Sequence, residues 1–491
     1  MHVLPTAGAA NARASESDRR GDAMIVDRIF TPGLAQVAYL VADDAAGVVA
    51  VIDPRRDVEV YEAWAAARGL RISAILETHV HADFVSGAPE LARRTGAPVY
   101  AGRLGASEFP HVAVDDGDEV AVGALILRAL WTPGHTPEHI AWLLVDPAVR
   151  PEPLALFSGD VLFVGEVGRP DLLGATHTDD LVEQLYVTIS QRLAPLLDDV
   201  VVYPGHTAGS ACGKKIGDAP QTTMGAERRT NYAFAATDRA DFVAKVMVGM
   251  PTPPAYYPVM KRVNKVGATP VATLADGVAM SPAEVEAAQA AGARVLDVRM
   301  PEAFAGGHIR AAINVGLRSD FMAWVGWIAT YDQDIVVVAE SAEDAATVRH
   351  ELRRIGLDRF AGWLDGGMPA WIASGRPVAK LLTVDVDEVA RGLETRIHDC
   401  VLVDVRSEGE VAAGHAPGMA SPASVVLRTG ELPVGEAGRI GIICGSGYRS
   451  SVVASLLLAQ GEERVVNVRG GMAAWLNAGL PAVTASEPAR S

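Results

Sequence analysis

From Met24 onward, apolar and polar positions alternate in short bursts. Gln36 to Val41, Val48 to Ile52 and Ile72 to Leu76 are brief apolar runs bounded by turn formers, a pattern that predicts strands. Val58 to Arg68 has helical spacing, and Gly69 predicts its end. This alternation predicts an α/β region ending near residue 248, where Met250 to Pro258 (MPTPPAYYP) is too rich in proline for regular helix or central strand and predicts a linker. Later apolar runs such as Ile335 to Ala339 are strand-sized, and none is long enough for a membrane-spanning helix.

Beyond the linker the pattern repeats. Leu296-Asp297-Val298-Arg299 followed by Gly307-His308 recurs as Val403-Asp404-Val405-Arg406 followed by Gly414-His415. Gly366-Gly367-Met368 with Ala370-Trp371 recurs as Gly470-Gly471-Met472 with Ala474-Trp475. A spacing of about a hundred residues means two copies of a whole domain and not a solenoid. The predicted division is a floppy leader over 1–23, with Met24 an alternative start, an α/β domain over 24–248, a linker over 249–271, and the two repeats over 272–378 and 385–485.

Composition is that of a globular protein, 49% hydrophobic and 21% charged. A net charge of −17 disfavours nucleic acid and anionic membrane surfaces and favours a small-molecule partner. The leader lacks a continuous apolar stretch and does not read as a secretory signal. Only three cysteines occur, Cys212, Cys400 and Cys444, too few for a disulfide framework, so a soluble protein of the reducing cytoplasm is expected. Cys400, next to a strand, reads as structural.

Four segments carry histidine or aspartate in loops after strand-like runs: Thr78-His79-Val80-His81-Ala82-Asp83, Thr132-Pro133-Gly134-His135-Thr136, Ser158-Gly159-Asp160 and Tyr203-Pro204-Gly205-His206. Histidines two apart on an extended segment project to the same side, and a carboxylate two further on joins them, which predicts a metal site. Any one of these histidines alone would read as a hydrogen-bonded loop residue; the set of four segments favours the metal.

In these segments the chain resembles the metallo-β-lactamase superfamily, over about residues 24 to 248, which implies an αββα sandwich with the metal at one edge. Two-metal hydrolases of that superfamily carry a histidine directly after the aspartate of the HxHxD segment, where this chain has Phe84. The resemblance therefore implies an empty second site, leaving Asp83, His206 and a shared Asp160 without a full ligand set. It is nearest to the persulfide dioxygenases, which implies one Fe(II) per chain on His79, His135 and Asp160, with zinc as the alternative. Two histidines and a carboxylate on one face suit non-haem iron and O₂. His81 could lie nearby without ligating. Gly168-Arg169-Pro170-Asp171 and Ser210-Ala211-Cys212-Gly213-Lys214 look like the family's substrate-binding segments. Arg169 offers a fork for a carboxylate, its alternative being a salt bridge to Asp171. Cys212 offers a persulfide way-station, its alternative being an inert buried thiol.

In the last domain the strand Ile440 to Ile443 leads into Cys444-Gly445-Ser446-Gly447-Tyr448-Arg449 and a helix starting near Ser450. A cysteine between a strand end and a helix start is ringed by backbone N–H groups that stabilise its thiolate. Arg449 closes the loop with a permanent cation suited to a sulfur oxyanion. With the Asp-Val-Arg and Gly-His segments, this resembles the rhodanese domain. The resemblance implies that Cys444 is a sulfur-accepting nucleophile, with Gly445, Ser446, Gly447 and Tyr448 as its substrate loop. The six-residue loop is too tight for a phosphate monoester, against phosphatase activity. In the first repeat the nucleophile position falls at Glu340, or at Ala339 with one gap, and the acidic Ser341-Ala342-Glu343-Asp344 follows. That repeat is expected to lack rhodanese chemistry and to serve as spacer or docking surface.

The predicted fold class is thus α/β, an αββα metallo-β-lactamase sandwich followed by two rhodanese-like α/β domains. The whole resembles the persulfide dioxygenase and sulfurtransferase fusions of bacterial sulfide detoxification. This implies as partners a low-molecular-weight thiol persulfide such as glutathione persulfide, O₂, and sulfite or thiosulfate, with no nucleic acid or membrane and a homo-oligomer left open. A glyoxalase-type zinc thioester hydrolase with rhodanese appendages, and a non-catalytic sulfur carrier or scaffold, are the alternatives.

Overall fold

The computed structural model describes residues 24–250, 252–395, 400–417, 419–420 and 438–484; the expected leader, 1–23, lies outside them. The first apolar runs form two six-stranded sheets. One has the order Met24–Thr31, Gln36–Asp43, Val48–Ile52, Arg71–Leu76, Val99–Gly102, Val112–Val114, antiparallel in its first three strands and parallel thereafter. The other has the order Thr222–Thr223, Val201–Pro204, Ala155–Gly159, Ile140–Val145, Leu125–Trp131, Glu119–Val122. Alternate side chains of both sheets, among them Tyr39, Val41, Leu127, Trp142 and Phe157, meet in a shared core. The opposite faces are covered by helices, through Tyr61 and Leu91 on one side and Leu185 and Phe242 on the other. This is the αββα sandwich. The expected helix from Val58 forms over Glu59–Ala66, and Gly69 takes a φ of +68° just past its end.

Two five-stranded parallel sheets follow with the same strand order. The first runs Val278–Met280, Phe360–Leu364, Ile335–Val338, Arg294–Asp297, Ile313–Asn314; the second runs Thr383–Val384, Val465–Val468, Arg439–Ile443, Cys400–Asp404, Met419–Ala420. The recurring Asp-Val-Arg and Gly-His pairs have a structural cause. Arg299 binds Asp297 and the Gly307 carbonyl, and Arg406 binds Asp404 and the Gly414 carbonyl, so each buried Arg staples a strand end to the turn after the next helix. Each repeated Trp also donates its indole N–H to a later proline carbonyl, Trp371 to Pro377 and Trp475 to Pro481.

The expected linker contains a helix of its own. Within 249–271, the segment Tyr257–Val266 is a helix, started by Pro258, whose ring is tolerated in a first turn. Tyr256, Tyr257, Met260 and Asn264 are buried, and Tyr256 and Met260 pack against Gly326 and Gly356 of the first repeat. The first repeat touches its neighbours on both sides. The Arg354 carbonyl, at the end of the helix Ala342–Arg354, accepts the Val85 N–H at 2.7 Å, and the Arg354 guanidinium pairs with Asp57. On the other side, Asn314 accepts a bond from Ser451 Oγ at 2.7 Å and donates to the Asp297 and Arg299 carbonyls, while the Tyr448 hydroxyl donates to the Gly316 carbonyl. Asn314→Ala removes three buried side-chain bonds, so a loss of about 3 kcal/mol is expected, at about 1 kcal/mol per bond. A downward shift of the urea unfolding midpoint measures it. Among the described residues no helix is long and apolar enough to cross a membrane.

Candidate metal centre and sulfur-transfer loop

Loops that leave strand ends at one edge of the sandwich carry His79, His135, Asp160 and His206. The chain can turn this sharply because two glycines allow close approach. Gly159 has φ +49°, and a Cβ there would lie 2.6 Å from Thr78 Oγ1 and 2.7 Å from His139 Nε2; a Cβ at Gly205 would lie 2.8 Å from Asp160 Oδ1.

His79 Nε2 lies 3.8 Å and His135 Nε2 3.5 Å from Asp160 Oδ2. All three atoms are buried without a hydrogen-bond partner, and together they lie within 4.8 Å of one another. Three unsatisfied acceptors facing one point are costly in a protein interior unless a cation joins them, so these residues fit a metal ion. Their other atoms are held. His135 Nδ1 contacts the Arg169 carbonyl at 2.9 Å, His79 Nδ1 contacts Thr78 Oγ1 at 2.9 Å, and Thr78 in turn donates to Asp53. Burial, followed for His79 by the charges of the neighbouring histidines, pushes both imidazoles below the ordinary histidine range and leaves their lone pairs free.

The segment from His79 to Asp83 is not extended, which overturns the expectation that its three polar side chains project together. The Val85 N–H goes to Arg354, Asn264 Nδ2 takes the His81 and Phe84 carbonyls at 2.8 and 2.7 Å, and the Tyr256 hydroxyl takes the Asp83 carbonyl. Bent by these bonds, the segment sends each side chain to a different group. His79 joins His135 and Asp160; His81 sits with Asp53 and Glu77, at 3.1 and 3.2 Å; Asp83 lies with His206 and Cys212. Although burial opposes its charge, the two carboxylates hold His81 protonated. It stands outside the group of His79.

His206 bridges two carboxylates, Nε2 to Asp83 Oδ2 at 2.8 Å and Nδ1 to Asp160 Oδ1 at 2.7 Å. Burial opposes its charge, but Asp160 and Asp83 outweigh it and push the imidazole up to about 10. His206 is thus engaged at both ring nitrogens, and Phe84 is buried at 1% exposure with its ring 4.4 Å from His81. Cys212 is buried, with Sγ 3.9 Å from the Tyr257 hydroxyl; burial, then the charges of Asp160 and Asp83, keep it a thiol. Arg169 is wholly buried and gives its fork to Asp171, at 2.6 and 2.7 Å, and to the Ala211 carbonyl. The ion pair with Asp171, the alternative to a substrate fork, is the arrangement seen, in the interior rather than on the surface.

His139 is a site residue that the sequence reading missed. Fully buried and stacked on His79, it contacts Thr132 Oγ1 through Nδ1 at 2.8 Å and accepts the Asp160 N–H on Nε2 at 3.1 Å. Burial, then the charge of His135, holds it down at about 3, so it stays neutral and orients Asp160. Its place one turn of loop after His135 was the available signal.

In the second repeat, Cys444 follows the strand Arg439–Ile443 and precedes the helix Tyr448–Ala459. Its Sγ accepts the Gly447 N–H at 3.1 Å and the Ser450 hydroxyl at 3.4 Å. Gly447 takes a φ of +97° and caps the helix with no side chain, leaving first-turn amides for an anion. The backbone of Gly445 and Ser446 forms the rest of the loop. The Tyr448 side chain points away, toward Gly316 of the first repeat with Arg318 over its ring, so its contribution to the loop is limited to its backbone.

Arg449 is held bidentate by Glu410, at 2.7 and 2.6 Å, a partner the sequence reading did not identify. Glu410 also caps its own helix through Ser407. The Arg449 hydrogen bond first, against burial, draws Glu410 down to about 2. The pair therefore contributes above the ordinary glutamate range and is lost only as pH falls through about 2. Glu410→Ala frees the guanidinium and is expected to lower sulfur transfer about tenfold, about 1.4 kcal/mol of transition-state binding, chiefly as a raised KM for thiosulfate.

The first repeat resolves its own ambiguity of register. Asp297 pairs with Val338 as Asp404 pairs with Ile443, so Ala339 and not Glu340 matches Cys444. Glu340 and Ser341 alone separate Ala339 from its helix, whereas Gly445, Ser446 and Gly447 follow Cys444. Ser341 Oγ accepts the Asp344 N–H and so occupies the helix start. Ala303 stands where Glu410 is in the second copy.

The metallo-β-lactamase superfamily model matches residues 31–206, and the rhodanese-like domain model matches 281–374 and 385–478. The hydroxyacylglutathione hydrolase of Polaromonas sp. (strain JS666 / ATCC BAA-500) is 37% identical over 187 residues, covering 37% of this chain and 66% of that protein. The mitochondrial persulfide dioxygenase of Bos taurus is 28% identical over 204 residues, covering 40% of this chain and 74% of that protein. The chain spans 60 to 66% of the length of the first three curated relatives, just short of two thirds. Among solved structures, a metallo-beta-lactamase from Staphylococcus aureus subsp. aureus COL matches with TM-score 0.63 and 34% identity, over 70% of this chain and 99% of that one.

Proposed function

We propose, from the premise that the chain belongs to the metallo-β-lactamase superfamily and carries two rhodanese-like domains, that it oxidises a thiol persulfide and transfers sulfane sulfur. In the first reaction a persulfide such as glutathione persulfide, O₂ and water give the thiol and sulfite. In the second, Cys444 takes a sulfane sulfur as a cysteine persulfide and exchanges it with sulfite or thiosulfate. The observation carrying the reading is the convergence of His79 Nε2, His135 Nε2 and Asp160 Oδ2, three buried atoms without a hydrogen-bond partner, beside a His206 held between two carboxylates.

A mononuclear Fe(II) held by these three residues would supply the redox chemistry toward O₂ that zinc lacks. The chain's own groups orient and shield it. Thr78 and the Arg169 carbonyl fix the two imidazoles, His139 fixes Asp160, and buried Phe84 and Cys212 keep the surroundings dry. At the other site Arg449, the Gly447 amide and the helix start favour an anionic sulfur donor next to Cys444. Fusion keeps the sulfite produced by one half near the other.

The identity to hydroxyacylglutathione hydrolases supports a second reading, thioester hydrolysis on zinc at the same residues. An oxygen electrode separates the two. Iron-loaded protein given glutathione persulfide should consume O₂ and release sulfite and thiosulfate; cleavage of a glutathione thioester by zinc-loaded protein, without O₂ uptake, would establish the hydrolase instead.

A further inference from the structure

The loop from Cys444 to Arg449 is fixed from two sides. Its own domain holds most of it: the Met472 and Ala473 N–H groups donate to the Cys444 and Gly445 carbonyls at 2.7 and 2.9 Å, Asn467 Nδ2 donates to the Gly447 carbonyl at 3.2 Å, and Glu410 holds Arg449. Tyr448, which opens the helix whose first-turn amides are left for an anion, is held by the other repeat. Its hydroxyl donates to the Gly316 carbonyl at 2.7 Å, and the Arg318 guanidinium lies 4.4 Å from its ring centre.

Tyr448, Ser451 and Ser455 stand at i, i+3 and i+7 and therefore share one face of that helix, and all three are buried. Ser451 Oγ donates to Asn314 Oδ1 at 2.7 Å, and the Asn314 backbone N–H donates to Ser455 Oγ at 2.8 Å. Gly316 lets the tyrosine approach, since a Cβ there would lie 3.2 Å from Tyr448 Cε2. The two copies differ on this face. When their helices are matched from the caps, Ser341 and Gly447, Ala342 and Ala345 stand where Tyr448 and Ser451 are. The copy with the cysteine carries the hydrogen-bonding face, and the copy without it carries the residues that receive it.

We propose that the cysteine-less repeat is a positioning element for the Cys444 loop, in which Gly316 and Asn314 act through Tyr448 and Ser451 to hold the helix start where it meets an anionic sulfur group. The assignment rests on the reading of Cys444 as a sulfur-accepting nucleophile. Two glycines, Gly445 and Gly447, leave the loop backbone many conformations, and each would aim the first-turn amides differently. Anion binding at a helix start depends on that aim, because N–H bonds weaken steeply as they bend. Tyr448 is the first side chain after Gly447, so a bond that fixes it fixes the turn.

The test uses the full chain and two alkylating agents of nearly the same size, anionic iodoacetate and neutral iodoacetamide, with labelling of Cys444 read by peptide mass spectrometry. Tyr448→Phe keeps the ring and loses the bond to Gly316; Ser451→Ala loses the bond to Asn314. Each should slow iodoacetate at Cys444 about fivefold, the contribution of one hydrogen bond, and leave iodoacetamide within about twofold. In an Asn314→Ala background, Ser451→Ala should slow it no further. An unchanged iodoacetate rate in either single variant overturns the proposal, and so do equal changes for both agents, which a merely loosened fold would give. Full slowing by Ser451→Ala in the absence of Asn314 would assign that serine to its own domain and overturn it too. Labelling needs no sulfur transfer, so a wild-type chain that transfers none would fail the reading of Cys444 and leave this result standing.

Discussion

Asp160→Ala should abolish metal binding and lower persulfide-dependent O₂ uptake by at least about a thousandfold, equivalent to about 4 kcal/mol. The carboxylate supplies one of only three converging ligand atoms, and its second oxygen holds His206 Nδ1. Its loss leaves the His206 imidazolium with Asp83 alone in a buried place, and breaking a buried ion pair by removing one partner costs about 3 to 5 kcal/mol. Elemental analysis of the purified variant, beside an oxygen-electrode assay and a urea melt, measures all three consequences. Wild-type metal content in Asp160→Ala would move the ion to another buried group, Asp53–Glu77–His81 or Asp83–His206–Cys212.

Cys444→Ser should remove sulfur transfer by about ten-thousandfold or more, about 5.5 kcal/mol, while O₂ uptake stays at the wild-type rate. Serine preserves shape and can still accept the Gly447 N–H and the Ser450 hydroxyl, so folding is spared. What is lost is a nucleophile that can carry a second sulfur. The measurements are thiosulfate-dependent transfer and persulfide labelling of the loop. Placing cysteine at the matching position of the first repeat, Ala339→Cys, should create no such activity. There the loop is one residue shorter, Ser341 caps the helix start, and Ala303 stands in place of the acid that holds Arg449. Transfer by Ala339→Cys in a Cys444→Ser background would show instead that the cysteine was the single missing part.

The two histidine-containing segments at His79 and His135, the aspartate at Asp160 and the cysteine at Cys444 were legible because each follows an apolar strand and its neighbours are local in sequence. Periodicity locates strand ends, and ligand-bearing loops leave from them. Asn264, Glu410 and His139 were not legible in the same way. Asn264 acts on a bend about 180 residues earlier, and Glu410 meets Arg449 across 39 residues, distances over which no spacing rule operates. The proline-rich stretch at Met250 to Pro258 concealed a helix because Pro258 falls in its first turn, where the missing N–H costs nothing.

The amino-acid sequence alone determined the fold class, the doubled rhodanese pattern, and which copy carries a cysteine between strand and helix, since strand periodicity, turn glycines and the presence of a cysteine are properties of neighbouring residues. Tertiary structure decided which way each side chain faces. An extended His79-x-His81-x-Asp83 segment would have gathered all three side chains on one side. Bonds from Asn264, Tyr256 and Arg354, all remote in sequence, bend the segment instead. Each of those bonds satisfies a backbone group that burial had deprived of water. The same requirement leaves His79 with His135 and Asp160, and sends His81 and Asp83 elsewhere.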